Sequence, residues 1–140
     1  MQITEVRIKL APDNKERLLA FASITFDGCW VTRDLKIIDG NKGTFIAMPS
    51  RKLTDRCPDC KCKNPVQANF CSRCGIDLPP DRAKIDEAGH RKLYADIAHP
   101  ISSAYRSLVE KAVLDEYDRE CKLAKEPGYA CRYYYDDETE

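Results

Sequence analysis

Five cysteines crowd into eighteen residues of this chain: Cys57, Cys60, Cys62, Cys71 and Cys74. Four of them form two CxxC units, CPDC and CSRC, with ten residues between them. Zinc prefers four soft ligands in a tetrahedron, and thiolates about 2.3 Å from the ion satisfy it. Two sulfurs three residues apart turn toward one ion only where the backbone makes a tight knuckle. Gly75, just past the second pair, supplies the freedom such a knuckle needs. Phe70 is the single large apolar side chain between the pairs, so the stretch cannot build a core of its own. The metal must supply that folding free energy. The expectation is one structural Zn2+ per chain, held by Cys57, Cys60, Cys71 and Cys74 with no open position for catalysis. Redox or iron–sulfur chemistry is the alternative use of such a cluster. Cys62 reads as a bystander, because the other four complete the tetrahedron. Cys29 and Cys121 read as small buried hydrophobes and Cys131 as exposed.

The remaining length must fold around this element. A chain of 140 residues fits one ordinary domain carrying a smaller module, and 43% apolar residues support a core despite 33% charged ones. No apolar run approaches the roughly 20 residues that span a bilayer. The opening MQITEVRIKL lacks the continuous apolar centre of a secretory signal. Eight cysteines clustered in this way suit a reducing compartment rather than a disulfide framework. A cytoplasmic chain with no membrane partner is therefore expected. Its formal net charge is zero, but residues 51–75 carry +4 and residues 126–140 carry −4. Four thiolates and a divalent ion would lower the middle segment to about +2.

Periodicity places the other elements. Thr4, Val6, Ile8 and Leu10 alternate with charged residues, the period of a strand with one wet face. Ala11 to Asn14 has turn composition, and Leu18 to Phe26 is apolar on both faces, as in a central strand. Asp27-Gly28 is a two-residue hairpin signal, and Cys29 to Ile38 returns as a third strand. A turn over 39–43 leads to a fourth strand, Thr44 to Met48, and Leu93 to Ala98 reads as a short fifth. From Ile101 to about Ala124 the period becomes helical, with Ser102 as N-cap and Pro127-Gly128 as the stop. Ile101, Ala104, Tyr105, Leu108, Ala112, Val113, Tyr117 and Cys121 mark its expected inner face. The fold class is α+β: a twisted antiparallel sheet of about five strands with a long C-terminal helix, plus a zinc ribbon inserted in a hairpin.

Two resemblances sharpen this. CPDCKCKNPVQANFCSRCG resembles a short zinc-ribbon pattern, CPxCGxxNPxxAxFCxxCG, with Lys61 in place of the usual glycine and Cys62 extra. The flanks resemble the SpoVG family of septation regulators. The pieces that carry this are Ala22-Ser23-Ile24-Thr25, Ile38-Asp39-Gly40-Asn41, Phe45 to Ser50, and Asp96-Ile97-Ala98-His99-Pro100-Ile101. The implied organisation is a discontinuous SpoVG-like domain, 1–53 with 90–125. Into it are set an inserted ribbon at 54–80 and a linker at 81–89, and an acidic aromatic tail follows at 126–140. The resemblance also implies a homodimer, and independent physics agrees, because an open sheet with one helix leaves edges and apolar area uncovered.

The family implies DNA or RNA binding in septation, sporulation or gene-expression control. From the residues alone, Arg51-Lys52 leaves one side of the proposed hairpin and His90-Arg91-Lys92 enters the other, with Arg56, Lys61, Lys63 and Arg73 on the ribbon. Such side chains suit phosphate contacts, although strand edges carry solvated charge for other reasons. The competing expectation is a protein-interaction adaptor in which ribbon and tail dock a partner. An enzyme is not expected: His99 precedes Pro100 at a strand end, and no nucleophile–base or glycine-rich phosphate signature appears.

Overall fold

The computed structural model describes residues 1–11 and 17–131. The turn expected at Pro12–Asn14 and residues 132–140 of the tail lie outside them. The described chain divides into two compact units, Met1–Pro49 with the segment from Ala98 onward, and Ser50–Ile97.

The first unit is a four-stranded antiparallel meander in the order β1-β2-β3-β4, with β1 Ile3–Leu10, β2 Leu18–Phe26, β3 Trp30–Gly40 and β4 Gly43–Ala47. The apolar run of β2 is explained by its place. It pairs with β1 on one side and β3 on the other, and it buries Ala20, Ala22, Ser23, Ile24 and Phe26. A bulge sets Arg33 and Asp34 against Ser23, with Asp34 in the left-handed region at φ 63°. The helix α1, Ser103–Leu123, packs on β1 and β2 through Val109 and Val113, which join Ile8, Ile24, Leu35, Ile37 and Met48 in one core. Ser102 caps it, its hydroxyl accepting from the Tyr105 N–H at 3.1 Å.

Four expectations change. The Asp27-Gly28 turn has both residues at positive φ, 51° and 64°, but the strands resume pairing only at Phe26↔Trp30. The loop is therefore three residues long and Cys29 sits in it, exposed rather than buried. Leu93 to Ala98 does not extend the main sheet; only Tyr94–Asp96 is a strand, paired elsewhere. On the helix Val109 is buried while Ile101, Ala104 and Leu108 are exposed, so the face that meets the sheet is rotated from the one the apolar pattern suggests. The tail's first residues are anchored: Tyr129 donates to the buried Glu120 at 2.8 Å, and the Cys131 thiol to the Ile8 carbonyl at 3.2 Å.

The second unit consists of two short ladders. β5 (Ser50–Lys52) pairs antiparallel with β8 (Tyr94–Asp96), and β6 (Thr54–Arg56) with β7 (Lys63–Pro65). Leu53 joins them. Its N–H donates to the Leu93 carbonyl at 2.8 Å, and its carbonyl accepts from the Val66 N–H at 2.9 Å. Pro65 is tolerated opposite Thr54 because that pair is non-hydrogen-bonded, as the flanking Val66–Leu53 bond shows. Residues 81–89, whose composition suggests a linker, are held by side chains. Arg82 donates to Asp55 Oδ2 at 2.7 Å and to the carbonyls of Pro65, Ala68 and Pro79. Lys84 and Asp86 pair backbone-to-backbone with Lys92 and His90.

Candidate metal centre and basic ladders

The two cysteine knuckles repeat one backbone pattern. In the first, the Lys61 N–H donates to the Cys57 carbonyl at 3.1 Å and the Cys57 N–H to the Cys62 carbonyl at 2.8 Å. In the second, the Gly75 N–H donates to the Cys71 carbonyl and the Cys71 N–H to the Ile76 carbonyl, both at 3.0 Å. Each knuckle turns on a residue in the left-handed region, Lys61 at φ 64° and Gly75 at φ 77°. Glycine adopts this conformation freely, whereas a lysine there is strained by about 1–2 kcal/mol. The ribbon pattern's missing glycine is thus a real local strain, eased by the Lys61 ammonium donating to the Pro58 carbonyl at 3.1 Å.

The four sulfurs of Cys57, Cys60, Cys71 and Cys74 lie within 4.8 Å of one another. Cys57–Cys74 and Cys60–Cys71 are 3.7 and 3.5 Å apart. A tetrahedron of thiolates 2.3 Å from a central ion has edges of about 3.8 Å, so the donor set fits a metal. Cys62 is not part of this group; it contributes its carbonyl, which accepts from Cys57 and from Asn64 Nδ2. Asn64 is almost fully buried and orients the second knuckle: its Oδ1 accepts from the Ser72 N–H at 2.8 Å and its Nδ2 lies 3.4 Å from the Cys71 sulfur. The N–H groups of Cys74 and Arg73, with Asn64 adding to them, pull the Cys71 thiol down to about 5. At Cys74 the Ile76 N–H favours the thiolate, but desolvation and the neighbouring sulfurs outweigh it and hold the thiol up at about 12. Cysteine spacing reveals the four sulfurs, and the ribbon pattern contains Asn64 without stating its role; Arg82 carries no comparable signal, since it acts on an aspartate twenty-seven residues back.

The ladders locate the basic candidates. Arg51 and Lys52 lie on β5, opposite Ala95 and Tyr94, and Lys63 lies on β7 opposite Arg56. His90, Arg91 and Lys92 enter the return strand. Arg91 pairs with Asp81, and His90 Nδ1 lies 3.9 Å from Asp86. Arg73 sits exposed in the second knuckle. Among the described residues no ion pair involves Arg51, Lys52, Lys61, Lys63, Arg73 or Lys92. In the first unit Arg106 faces Glu110 at 3.9 Å, and His99 Nδ1 is 3.1 Å from the Pro100 carbonyl.

The sequence profile of the SpoVG family matches residues 1–119. The chain belongs to the SpoVG family. A "Putative septation protein SpoVG" from Anaeromyxobacter sp. (strain Fw109-5) is 35% identical over 127 residues, covering 91% of this chain and 92% of the relative. The protein of that name from Finegoldia magna is 40% identical over 121 residues, 86% and 77% of the two chains. The one from Caldicellulosiruptor saccharolyticus is 36% identical over 118, 84% and 92%. This SpoVG-family chain thus joins the meander and helix to a four-cysteine centre. No helix among its described residues is long and apolar enough to cross a membrane.

Proposed function

We propose that this SpoVG-family chain is a non-enzymatic regulator that binds DNA or RNA, acts as a cytoplasmic homodimer in septation, sporulation or gene-expression control, and carries one structural zinc ion. The observation that carries the nucleic-acid reading is the placement of charge in residues 50–97. The carboxylates of Asp55, Asp81 and Asp86 are engaged by Arg82, Arg91 and His90, while Lys52, Lys63, Lys92 and Arg73 extend into solvent with no acidic partner among the described residues. Net charge alone is a weaker argument: 10 basic and 7 acidic residues give +3 over this span, which four thiolates and a divalent ion reduce to about +1. Zinc is favoured because an all-sulfur tetrahedron with no vacant position is a structural site, and metal analysis should give about one zinc per chain.

A second copy is favoured by the first unit's surface. A groove of about 450 Å3, lined by Phe26, Trp30, Met48, Pro100, Ile101 and Tyr105, is open there, and Ile101 is 97% exposed. Light scattering should report a dimer that Ile101→Asp dissociates. The adaptor reading rests on a different feature, the exposed Phe70 and Ile85 of the second unit. A salt titration separates the two readings. A phosphate binder loses affinity for an oligonucleotide steeply between 50 and 200 mM salt, on the order of one contact per unit of log–log slope. A protein that binds no oligonucleotide at low salt leaves the adaptor reading in its place.

A further inference from the structure

Within residues 50–97 one face carries charge that no other described residue neutralises. Arg56 and Lys63 are directly opposite in the β6–β7 ladder. The adjacent bond from the Cys57 N–H to the Cys62 carbonyl makes theirs a non-hydrogen-bonded pair, the closer of the two cross-strand kinds, with Cα atoms about 4.5 Å apart. Like charges directly opposite destabilise a sheet. Neither residue can turn inward, because the alternate positions are committed: Asp55 meets Arg82, and Asn64 meets the Cys71 sulfur. Pairing continues through Leu53, and burial alternates along 52–57, so Lys52, Thr54 and Arg56 share the exposed face, and the two-residue period of the strand sets Ser50 on it and Arg51 on the other. Tyr94, half exposed, lies opposite Lys52 on that face, again in a non-hydrogen-bonded pair. The one carboxylate that the ladders place there is Asp96, at the far end opposite Ser50.

We infer that this face is a phosphodiester-binding site in which Arg56 and Lys63 flank one phosphate while Lys52, about 13 Å along the strand, takes another beside the Tyr94 ring. An anion between Arg56 and Lys63 converts their repulsion into two charge-assisted contacts, one of them a guanidinium fork suited to phosphate oxygens. The inference rests on the nucleic-acid reading and deepens it. It pairs Arg56 with Lys63 among the basic residues of the ribbon, and it sets Arg51, whose side chain leaves the opposite face, apart from the site. It also links binding to stability: removing one of the two charges should weaken binding and stabilise the free protein.

The test uses Arg56→Gln, Lys63→Thr and their combination in the full chain, with Lys111→Gln on α1 as a control of equal charge change. Retention of the wild-type metal-to-protein ratio certifies that each variant is folded. Anisotropy with a labelled mixed-sequence 20-mer, single-stranded and duplex, is measured across the same salt range. The expected result is a several-fold loss for each single variant and non-additive losses in the pair. The salt slope should fall by about 0.7 per contact on the single strand or 0.9 on the duplex. Lys63→Thr should melt higher than wild type, and Lys111→Gln should bind as wild type does. Wild-type binding that is unchanged in affinity and slope by the double variant overturns this inference and leaves the nucleic-acid reading standing. Lys63→Thr melting lower overturns it too, by removing the repulsion it starts from. A wild-type protein that binds neither probe overturns the nucleic-acid reading and this inference with it.

Discussion

The two units of this chain are stabilised by different physics. The first buries a contiguous apolar cluster between sheet and helix, with Ala20, Ala22, Ile37 and Val113 wholly inaccessible. The second has little to bury. Its cluster consists of Cys57, Cys71 and Leu78, and its largest side chains, Phe70 and Tyr94 among them, face solvent. What it has instead are four converging sulfurs, one buried asparagine and one arginine that gathers three carbonyls. Apolar burial is distributed and tolerates small losses at single positions, whereas a fold that rests on a sulfur cluster and a side-chain clamp depends on a few atoms. The same chain therefore contains one region that should weaken gradually and one that should fail abruptly.

Removing the metal should produce the largest difference between the units. Structural zinc contributes about 10–16 kcal/mol in small modules, so a strong chelator or Cys71→Ser should erase amide protection across 54–78 while β2 and β3 keep theirs. Protection that persists in both would break the contrast. Acid should act in the same direction, because each sulfur must lose its proton to bind. The metal-free thiols differ in how readily they give up that proton, Cys71, pulled down to about 5, most readily and Cys74, held up at about 12, least. Metal release followed from pH 8 downward should thus be promoted by acid; release favoured by base would contradict it.

Ile24→Ala, in the centre of the first core, should cost about 2–5 kcal/mol in global unfolding and leave the metal stoichiometry unchanged. Loss of metal in this variant would mean the units are not energetically separate. Arg82→Ala is the corresponding lesion in the second unit. Asp55 and three carbonyls lose a charged donor whose side chain is only 14% exposed, and a hydrogen bond to a charged group is worth about 1.5–3 kcal/mol. The expected readout is faster exchange at residues 54–70 with the first unit unaffected. The smallest effect has the opposite sign. Lys61→Gly relieves a positive φ and should stabilise the ribbon by roughly 1 kcal/mol, seen as tighter metal retention against a competing chelator; Gly75→Ala should loosen it.

How much of this was legible in the sequence follows from the range of each interaction. Signals contained in a few consecutive residues were readable: the CxxC units, the positive φ at Asp27-Gly28, the Ser102 cap and the odd lysine at position 61. The alternation of β1 and the doubly apolar β2 named their places in the meander. Features set by distant partners were not. Helical periodicity identifies an apolar stripe on α1 but not which part of it the sheet covers, so the pattern places Ile101 and Leu108 inward and misses Val109. Cys29 depended on the loop being one residue longer than its Asp-Gly signal suggests. Arg82 sits in a polar stretch whose composition says nothing of an aspartate twenty-seven residues back. The basic residues were legible as a list but not as faces, because only the register separates Lys52 from Arg51.

Leu53 has a mechanical consequence. One residue hands its N–H to the returning strand and its carbonyl to the cysteine ribbon, so the second unit has no slack joint at its waist. A twist imposed at the sulfurs has no loop in which to dissipate before it reaches Tyr94, and a load arriving at Tyr94 would be felt at the knuckles. The sulfur cluster and the outer ladder are in that sense two ends of one lever.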